Sequence, residues 1–468
     1  MSSITSGNAP NALLEGSILR SLLSIAIPVI LSNLLQSGYI TVDAFWVGRV
    51  GSTAVAAIAV SQPIFFLAFA LGIALNVAGS MLVAQFVGAG KHRDASTIAS
   101  QVLILALIFA LPITLLGEIF APWMLHMLGT QADVFPSALK FLRVILGGII
   151  FTFGFAMLQS LMRAAGEVRI PLFITAGTLL LNAIIDPIFI FGWGVIPAFG
   201  VEGAAIATVT NQCLAMLVGF MVLRSGRIGI SINFSEMKPR WDTAKRAMQL
   251  GFPASIELCS YALSASGMMF LVTAVGTVAT AAFGVVNNVN ALVIVPAIGM
   301  SMATATLVGQ NIGAGQFDRA RSIARLSALI SFLGLSVIGL LGFIFAPNII
   351  AIFTPDQPRI IEYGAQFLYI MAPSYGLIGL HMALSGAFRA SGRTMTTMTL
   401  ALIAQWLVQL PLAWALYNHT SLGISGLWWA YPLTNLFTAA MTMILFARIN
   451  WQRTRLIGPQ GAAQESAA

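Results

Sequence analysis

The sequence predicts an all-α polytopic membrane protein: twelve transmembrane helices in two six-helix bundles related by a pseudo-twofold axis. Three observations lead there. Apolar residues fill 58% of the 468 positions and charged residues only 8%, where a soluble domain carries about 25% charged. Many apolar runs exceed the roughly 20 residues a helix needs to cross a bilayer, and none shows the alternating segments of about ten residues that mark a membrane barrel. The second half of the chain also repeats the first at a nearly fixed offset.

In chain order, residues 11–23 read as an amphipathic segment lying at the inner interface. Spans are expected near 21–48, 55–88, 95–122, 137–164, 168–192 and 202–224, then 246–273, 280–312, 320–346, 361–389, 395–417 and 424–448. Glycine- and proline-bearing polar stretches at 88–94, 129–136, 313–319 and 354–358 punctuate them. The longest polar interruption, 225–242, follows the sixth span. This gives an N-terminal lobe at 1–224, a cytoplasmic linker with an interfacial segment at 225–245, a C-terminal lobe at 246–450 and a disordered tail at 451–468.

The repeat holds one offset, 225 residues, in four separated places and slips by one in a fifth. Pro28 and Pro253 stand 225 residues apart, as do Gly51 and Gly276, with Ala56-Ala57 in step with Ala281-Ala282. Gln85, Gly88 and Gly90 match Gln310, Gly313 and Gly315, and Phe120-Ala121-Pro122 matches Phe345-Ala346-Pro347, all at 225. Arg163-Ala-Ala-Gly166 then matches Arg389-Ala-Ser-Gly392 at 226. Six crossings per repeat is an even number, so both halves enter the membrane from the same side. Such parallel repeats place a cavity between them, and rocking of the halves alternates access.

The net charge of +8 is explained by its placement, not by nucleic acid. Of the 23 basic residues, all but Arg49, Lys140, Arg143 and Arg359 fall on one side of this topology. That side is cytoplasmic by the positive-inside rule, so both termini are expected in the cytoplasm of a multi-pass protein of the cell's inner membrane. The loops at 91–94 and 316–321 read as anchors of the same kind. Cys213 and Cys259 fall in spans as packing residues, with no metal-ligand pattern. No basic segment followed by a cleavage site opens the chain, so no signal peptide is expected. Val87-Gly-Ala-Gly90 lacks the lysine of a phosphate loop. No cofactor and no nucleotide are expected, and the chain is expected to act as a monomer.

Few acids lie well inside spans: Asp43 in the first, Asp186 in the fifth and Glu257 in the seventh. A charge at the centre of a membrane helix costs about 2.5 to 3.5 kcal/mol on insertion scales, and intramembrane acids usually mark ion pathways. Tyr39 lies one turn before Asp43, and Asn182 one turn before Asp186, each pair sharing a helix face. Pro187 removes the helical donor to the Ala183 carbonyl and is expected to kink the helix beside the acid. Asp43 and Asp186 could form a coupled pair that exchanges protons; the same oxygens could take Na⁺. Glu118 and Glu202 sit near helix ends and are expected to be solvated. Glu257, near the inner end of its span, could reach the interface. His381 reads as a packed or interfacial residue, with a proton relay as the alternative. Phenylalanine and methionine in a cavity would suit flat, apolar cations.

Taken together, Pro28, Asp43-Ala-Phe-Trp-Val-Gly48, Gln85…Gly88-Ala-Gly90, Arg163-Ala-Ala-Gly166, Gly203-Ala-Ala-Ile-Ala-Thr208, Pro253 and Gln310-Asn-Ile-Gly-Ala-Gly315 resemble the multidrug and toxic compound extrusion (MATE) family over essentially the whole chain. The resemblance is greatest to the DinF-type branch. It implies antiport: a cationic or amphipathic organic compound leaves as H⁺ or Na⁺ enters, and the chain is no enzyme. It also implies an N-terminal cation site at Tyr39, Asp43, Asn182, Asp186 and Thr208. Gln159 stands where the branch often has asparagine. The NorM-type branch adds acids in the C-terminal half, but the tenth span here has none, and Glu257 lies one turn nearer its helix start than that branch's glutamate. The rival reading is a flippase for a lipid-linked or polysaccharide precursor. It would want arginines within the cavity, and none lies well inside a span. A membrane-embedded transferase does not suit the deep placement of Asp43.

Overall fold

The computed structural model describes residues 13–457. Eleven helices are long and apolar enough to cross a membrane, and a bent pair supplies a twelfth span. They are α1 (Ile18–Gly48), α2 (Ser52–Gly88), α3 (His92–Met127), α4 (Phe135–Gly147 and Ile149–Ala164, bent by 45°), α5 (Arg169–Phe191) and α6 (Val201–Arg224) in the first half. The second half holds α7 (Trp241–Thr273), α8 (Thr277–Gly313), α9 (Phe317–Ile344), α10 (Pro358–Ala390), α11 (Thr394–His419) and α12 (Ile424–Ala447). Among the described residues the only β pairing is an isolated bridge, Trp193 to Ile196. The chain is thus an all-α, multi-pass membrane protein with its spans where the sequence puts them.

The duplication extends to backbone angles. Helices α2 and α8 are each 37 residues long, preceded by Gly51 (φ 134°, ψ 172°) and Gly276 (φ 137°, ψ 173°). Helices α6 and α12 follow Gly200 (φ 59°, ψ −132°) and Gly423 (φ 56°, ψ −132°). Those positive φ values are open to glycine and strained for other residues, so the repeat preserves glycine where the turn geometry demands it.

Several local expectations change. Helix α1 begins at Ile18, so residues 18–23 are continuous with the span and do not form a separate helix. Leu22, Ile25 and Ala26 are buried in the core, while Leu19 is exposed. Residues 11 and 12 lie outside the described residues. The bend in α4 follows from packing. A Cβ on Gly148 would sit 2.2 Å from Val209 of α6, and the nearby Leu146 carbonyl accepts the Thr114 hydroxyl of α3 at 3.0 Å. The second half breaks at the matching place, a 3₁₀ turn over Ala372–Ser374 within α10. Helix α5 runs on through Pro187 to Phe191. Helix α11 contains a π-turn, Ile403–Gln409, just before Pro411. The wider turn accommodates a residue that cannot donate its N–H.

The contacts divide the chain into two compact units. One is built on Leu31–Ser255, the other on Glu15–Ile30 and the residues from Ile256 on. The division therefore falls inside α1 and α7, not at a linker spanning 225–245. The linker residues belong to the first unit because they are strapped to α3. The N–H groups of Ser231 and Asn233 donate to the hydroxyls of Ser96 and Ser100 at 3.0 and 3.1 Å, and Ile230 and Ile232 are buried. The expected disordered tail also shortens. Trp451–Arg453 form a 3₁₀ turn, and Trp451 and Ile457 are buried; residues 458–468 lie outside the described residues.

Candidate functional site

Within the first unit, three helices bring polar side chains to one place. Helix α1 contributes Tyr39 and Asp43, α5 contributes Asn182 and Asp186, and α6 contributes Thr208. Two contacts fix α1 against α5 on either side of the acids. A Cβ on Gly38 would lie 3.7 Å from Leu179, and the Trp46 ring meets Phe191 edge-on at 6.3 Å. Helix α6 is folded back on α5 by a tight connection in which the N–H groups of Phe199 and Gly200 donate to the carbonyls of Phe189 and Ile190 at 3.1 and 3.0 Å.

The helical spacing of Asn182 and Asp186 does what it predicts. The Asn182 amide donates to Asp186 Oδ1 at 2.8 Å, and both residues are wholly buried. Thr208 donates to Asp43 Oδ2 at 3.4 Å, a long bond that links α6 to α1. Asp186 and Asn182 also stand beside Asp43. The second oxygens are the notable ones: Asp43 Oδ1 and Asp186 Oδ2 are buried and have no hydrogen-bond partner, and neither has the Tyr39 hydroxyl or Asn182 Oδ1. Buried polar atoms are nearly always paired, so a cluster of orphaned oxygens marks a place prepared for something else. Two facing carboxylates can satisfy one another only if one carries a proton, because ionised carboxylates accept and do not donate. Alternatively a small cation can lie among them.

The remaining sequence candidates stand elsewhere. Gln159 donates to the Thr175 hydroxyl at 3.0 Å and accepts from Arg163 at 3.2 Å, tying α4 to α5. Glu257 does not reach the interface. It is 7% exposed, accepts the Thr397 hydroxyl at 2.8 Å and faces the Arg389 guanidinium at 3.8 Å. The cation from α10 and the hydroxyl from α11 make burial of this acid affordable. His381 is half-buried, its Nδ1 2.8 Å from the Thr442 hydroxyl and its Nε2 3.5 Å from that of Ser385. Glu118 and Glu202 are in ion pairs with Arg143 and Lys140 at 3.5 and 3.9 Å and are not simply solvated. Cys213 and Cys259 are free thiols. Among the described residues no cluster of three or more metal-ligating side chains occurs. Sequence reasoning missed Asn211, which lies one turn beyond Thr208 on α6 and beside Tyr39. Its only sequence signal is that i, i+3 spacing.

Glu257→Gln is expected to leave Arg389 without its counter-charge. Truncating one partner of a buried charge-assisted bond costs on the order of 1–3 kcal/mol, so the melting temperature should fall and transport should drop only in part. A complete block of coupling with unchanged stability would move the essential acid to the second unit.

Comparison with known proteins agrees with this architecture. The MatE family profile matches residues 28–188 and again 253–415, once per repeat, and the first match includes Asp43, Asn182 and Asp186. The chain is 28% identical over 449 residues to a probable multidrug resistance protein, YoeA, of Bacillus subtilis, covering 94% of this chain and 96% of that one. It is 26% identical over 443 residues to a probable multidrug resistance protein NorM of Thermotoga maritima, covering 94% of each. A solved transporter of the MOP superfamily from Pyrococcus furiosus superposes with a TM-score of 0.87 at 23% identity, covering 96% of this chain and 98% of that one, which shows the shared fold. With its two profile matches, its duplicated twelve-helix fold and relatives aligned end to end, the chain belongs to the MatE family of membrane transporters.

Proposed function

We propose that this protein is a secondary active exporter of cationic or amphipathic organic compounds. It works by alternating access in the cytoplasmic membrane, with both termini in the cytoplasm, and is driven by inward movement of H⁺. Asp43 is the principal coupling acid, Asp186 its partner, and Asn182, Tyr39 and Thr208 orient the pair. The observation that carries this reading is the juxtaposition of the wholly buried Asp186 and the half-buried Asp43, each with a buried oxygen that no hydrogen bond satisfies. Charges removed from water need compensation. Here no Lys or Arg provides it to Asp43 or Asp186 among the ion pairs of the described residues. The compensating charge must come from a mobile ion, so the pair is stable when loaded and unstable when empty. That asymmetry is what an antiporter needs, because the ion must bind from one side and leave to the other before the next cycle. The relatives named as probable multidrug resistance proteins support the substrate class.

The coupling ion is tested by substrate-induced ion release from purified protein, with H⁺ and Na⁺ varied separately. Proton release on adding substrate, indifferent to Na⁺, is the expected result. Release of Na⁺ without protons would reassign the ion, and release of neither would reject antiport.

A further inference from the structure

Asn211 is wholly buried, and both its amide nitrogen and its carbonyl oxygen lack a hydrogen-bond partner. An unsatisfied buried amide is a penalty that proteins rarely carry without a use for it. Packing does not require the amide. At the matching position of the second repeat, 223 residues on in step with Gly200 and Gly423, stands Thr434, which satisfies itself on the Ala430 carbonyl at 2.7 Å. Asn211 lies beside Tyr39, whose buried hydroxyl is also without a partner. The titratable groups beside Tyr39 are Asp43 of its own helix and Asp186 of α5. On the neighbouring α3, α4 and α6, Lys140 pairs with Glu202 and Arg143 with Glu118, Arg163 donates to Gln159, and His92, Arg93, Asp94, His126 and Arg224 stand at the helix ends.

We propose that Asn211 is a positioning residue of the coupling site. Its amide holds the Tyr39 hydroxyl when Asp43 has lost its proton and releases it when Asp43 is protonated. The logic is one of donors and acceptors. A tyrosine hydroxyl has one proton to give, and an ionised Asp43 is the acceptor one turn along the same helix face. Once that bond forms, the hydroxyl oxygen can accept, and the Asn211 Nδ2–H group is the adjacent donor. When Asp43 carries the proton it no longer draws the hydroxyl, and the Tyr39–Asn211 bond opens. The transported proton moves between Asp43 and water. Tyr39 and Asn211 neither gain nor lose one. Asn211 thereby favours the proton-free state and sets the pH at which the transporter turns over.

This inference rests on the acid-coupled reading above, and the test separates the two. Substrate transport in reconstituted vesicles is measured against pH for Asn211→Thr, which copies the second repeat, for Asn211→Leu, for Tyr39→Phe and for the Asn211→Thr/Tyr39→Phe double variant, beside Asp43→Asn. Asn211→Thr is expected to leave the substrate KM near that of the parent and to displace the kcat profile toward alkaline pH by about one unit, tenfold in the proton equilibrium. Tyr39→Phe should displace it similarly, and the double variant no further, because both remove one interaction. Parent-like pH profiles in the Asn211 variants overturn the proposal, and so do additive displacements in the double. Should Asn211→Leu fail to fold, Asn211→Thr alone decides. If Asp43→Asn transports normally, the coupling assignment itself fails. If Asp43→Asn is inactive while the Asn211 variants titrate like the parent, only the role of Asn211 fails.

Discussion

Asp43→Asn is expected to reduce gradient-driven efflux to the level of cells lacking the transporter while leaving a folded protein in the membrane. Asparagine has nearly the shape of aspartate, and its carbonyl oxygen can still accept the Thr208 hydroxyl that Asp43 Oδ2 accepts at 3.4 Å. What it cannot do is bind or release a proton, or offer a full negative charge to a cation. A neutral amide beside Asp186 also removes a like-charge neighbour, so the helices should be at least as stable as in the parent. Loss of a coupling ion stops the cycle instead of weakening a contact, so the fall in efflux should be at least about tenfold, beyond the roughly 1.4 kcal/mol that one hydrogen bond contributes to a barrier. Accumulation of a fluorescent organic cation in cells, with membrane-extracted protein assayed for monodispersity, checks both halves of the expectation. Full efflux by this variant would show that the acid is only structural. Asp186→Asn should be less severe if Asp43 is the principal proton carrier, because Asp186 is already anchored by Asn182 at 2.8 Å.

The spans were legible because the bilayer imposes a length and an apolar composition on each of them, and a local property can be read locally. The Asn182–Asp186 bond was legible for the same reason: four residues in a helix is one turn. What brings α1 to α5 and α6 was not legible from periodicity. Asp43 and Thr208 are 165 residues apart, and only the family resemblance joined them. The Glu257–Arg389 pair shows the same limit. Each residue has a reasonable local reading, an acid near an interface and a cytoplasmic anchor, and neither reading contains the other. The bend in α4 escaped notice because Gly148 is flexible in any context, while the closeness of Val209 that exploits it is tertiary. Composition also misled at the end of the chain, where the residues after α12 look polar yet insert Trp451 and Ile457 into the core. The longest polar interruption suggests a lobe boundary, but that segment is pinned to α3, and the change of unit falls within the apolar part of α7.

Gly203→Val should abolish both folded protein and transport, and Gly203→Ala should reduce both, although alanine is ordinarily the better helix residue. Gly203 lies in the first turn of α6, where a Cβ would stand 2.3 Å from the Phe189 carbonyl oxygen and 2.5 Å from its carbon, on the last turn of α5. That neighbour is backbone and cannot rotate away. Glycine-to-alanine gains at most about 1 kcal/mol of helix propensity in a helix interior, and less in a first turn. Overpacking against rigid structure costs about 1–3 kcal/mol or more, so the clash wins. The repeat supplies an internal comparison. Gly426, at the start of α12, approaches the Leu416 backbone at 2.7 Å, a looser fit, so Gly426→Ala should be the milder of the two. The two sites also differ in consequence. Parting α5 from α6 separates Asp186 from Thr208 and loosens the hold on Asp43, whereas the Gly426 contact lies in the other unit. Melting temperatures and efflux of the two alanine variants, compared side by side, test this. Equal stability loss with efflux spared in Gly203→Ala would mean that the α5–α6 contact does not set the geometry of the acid pair.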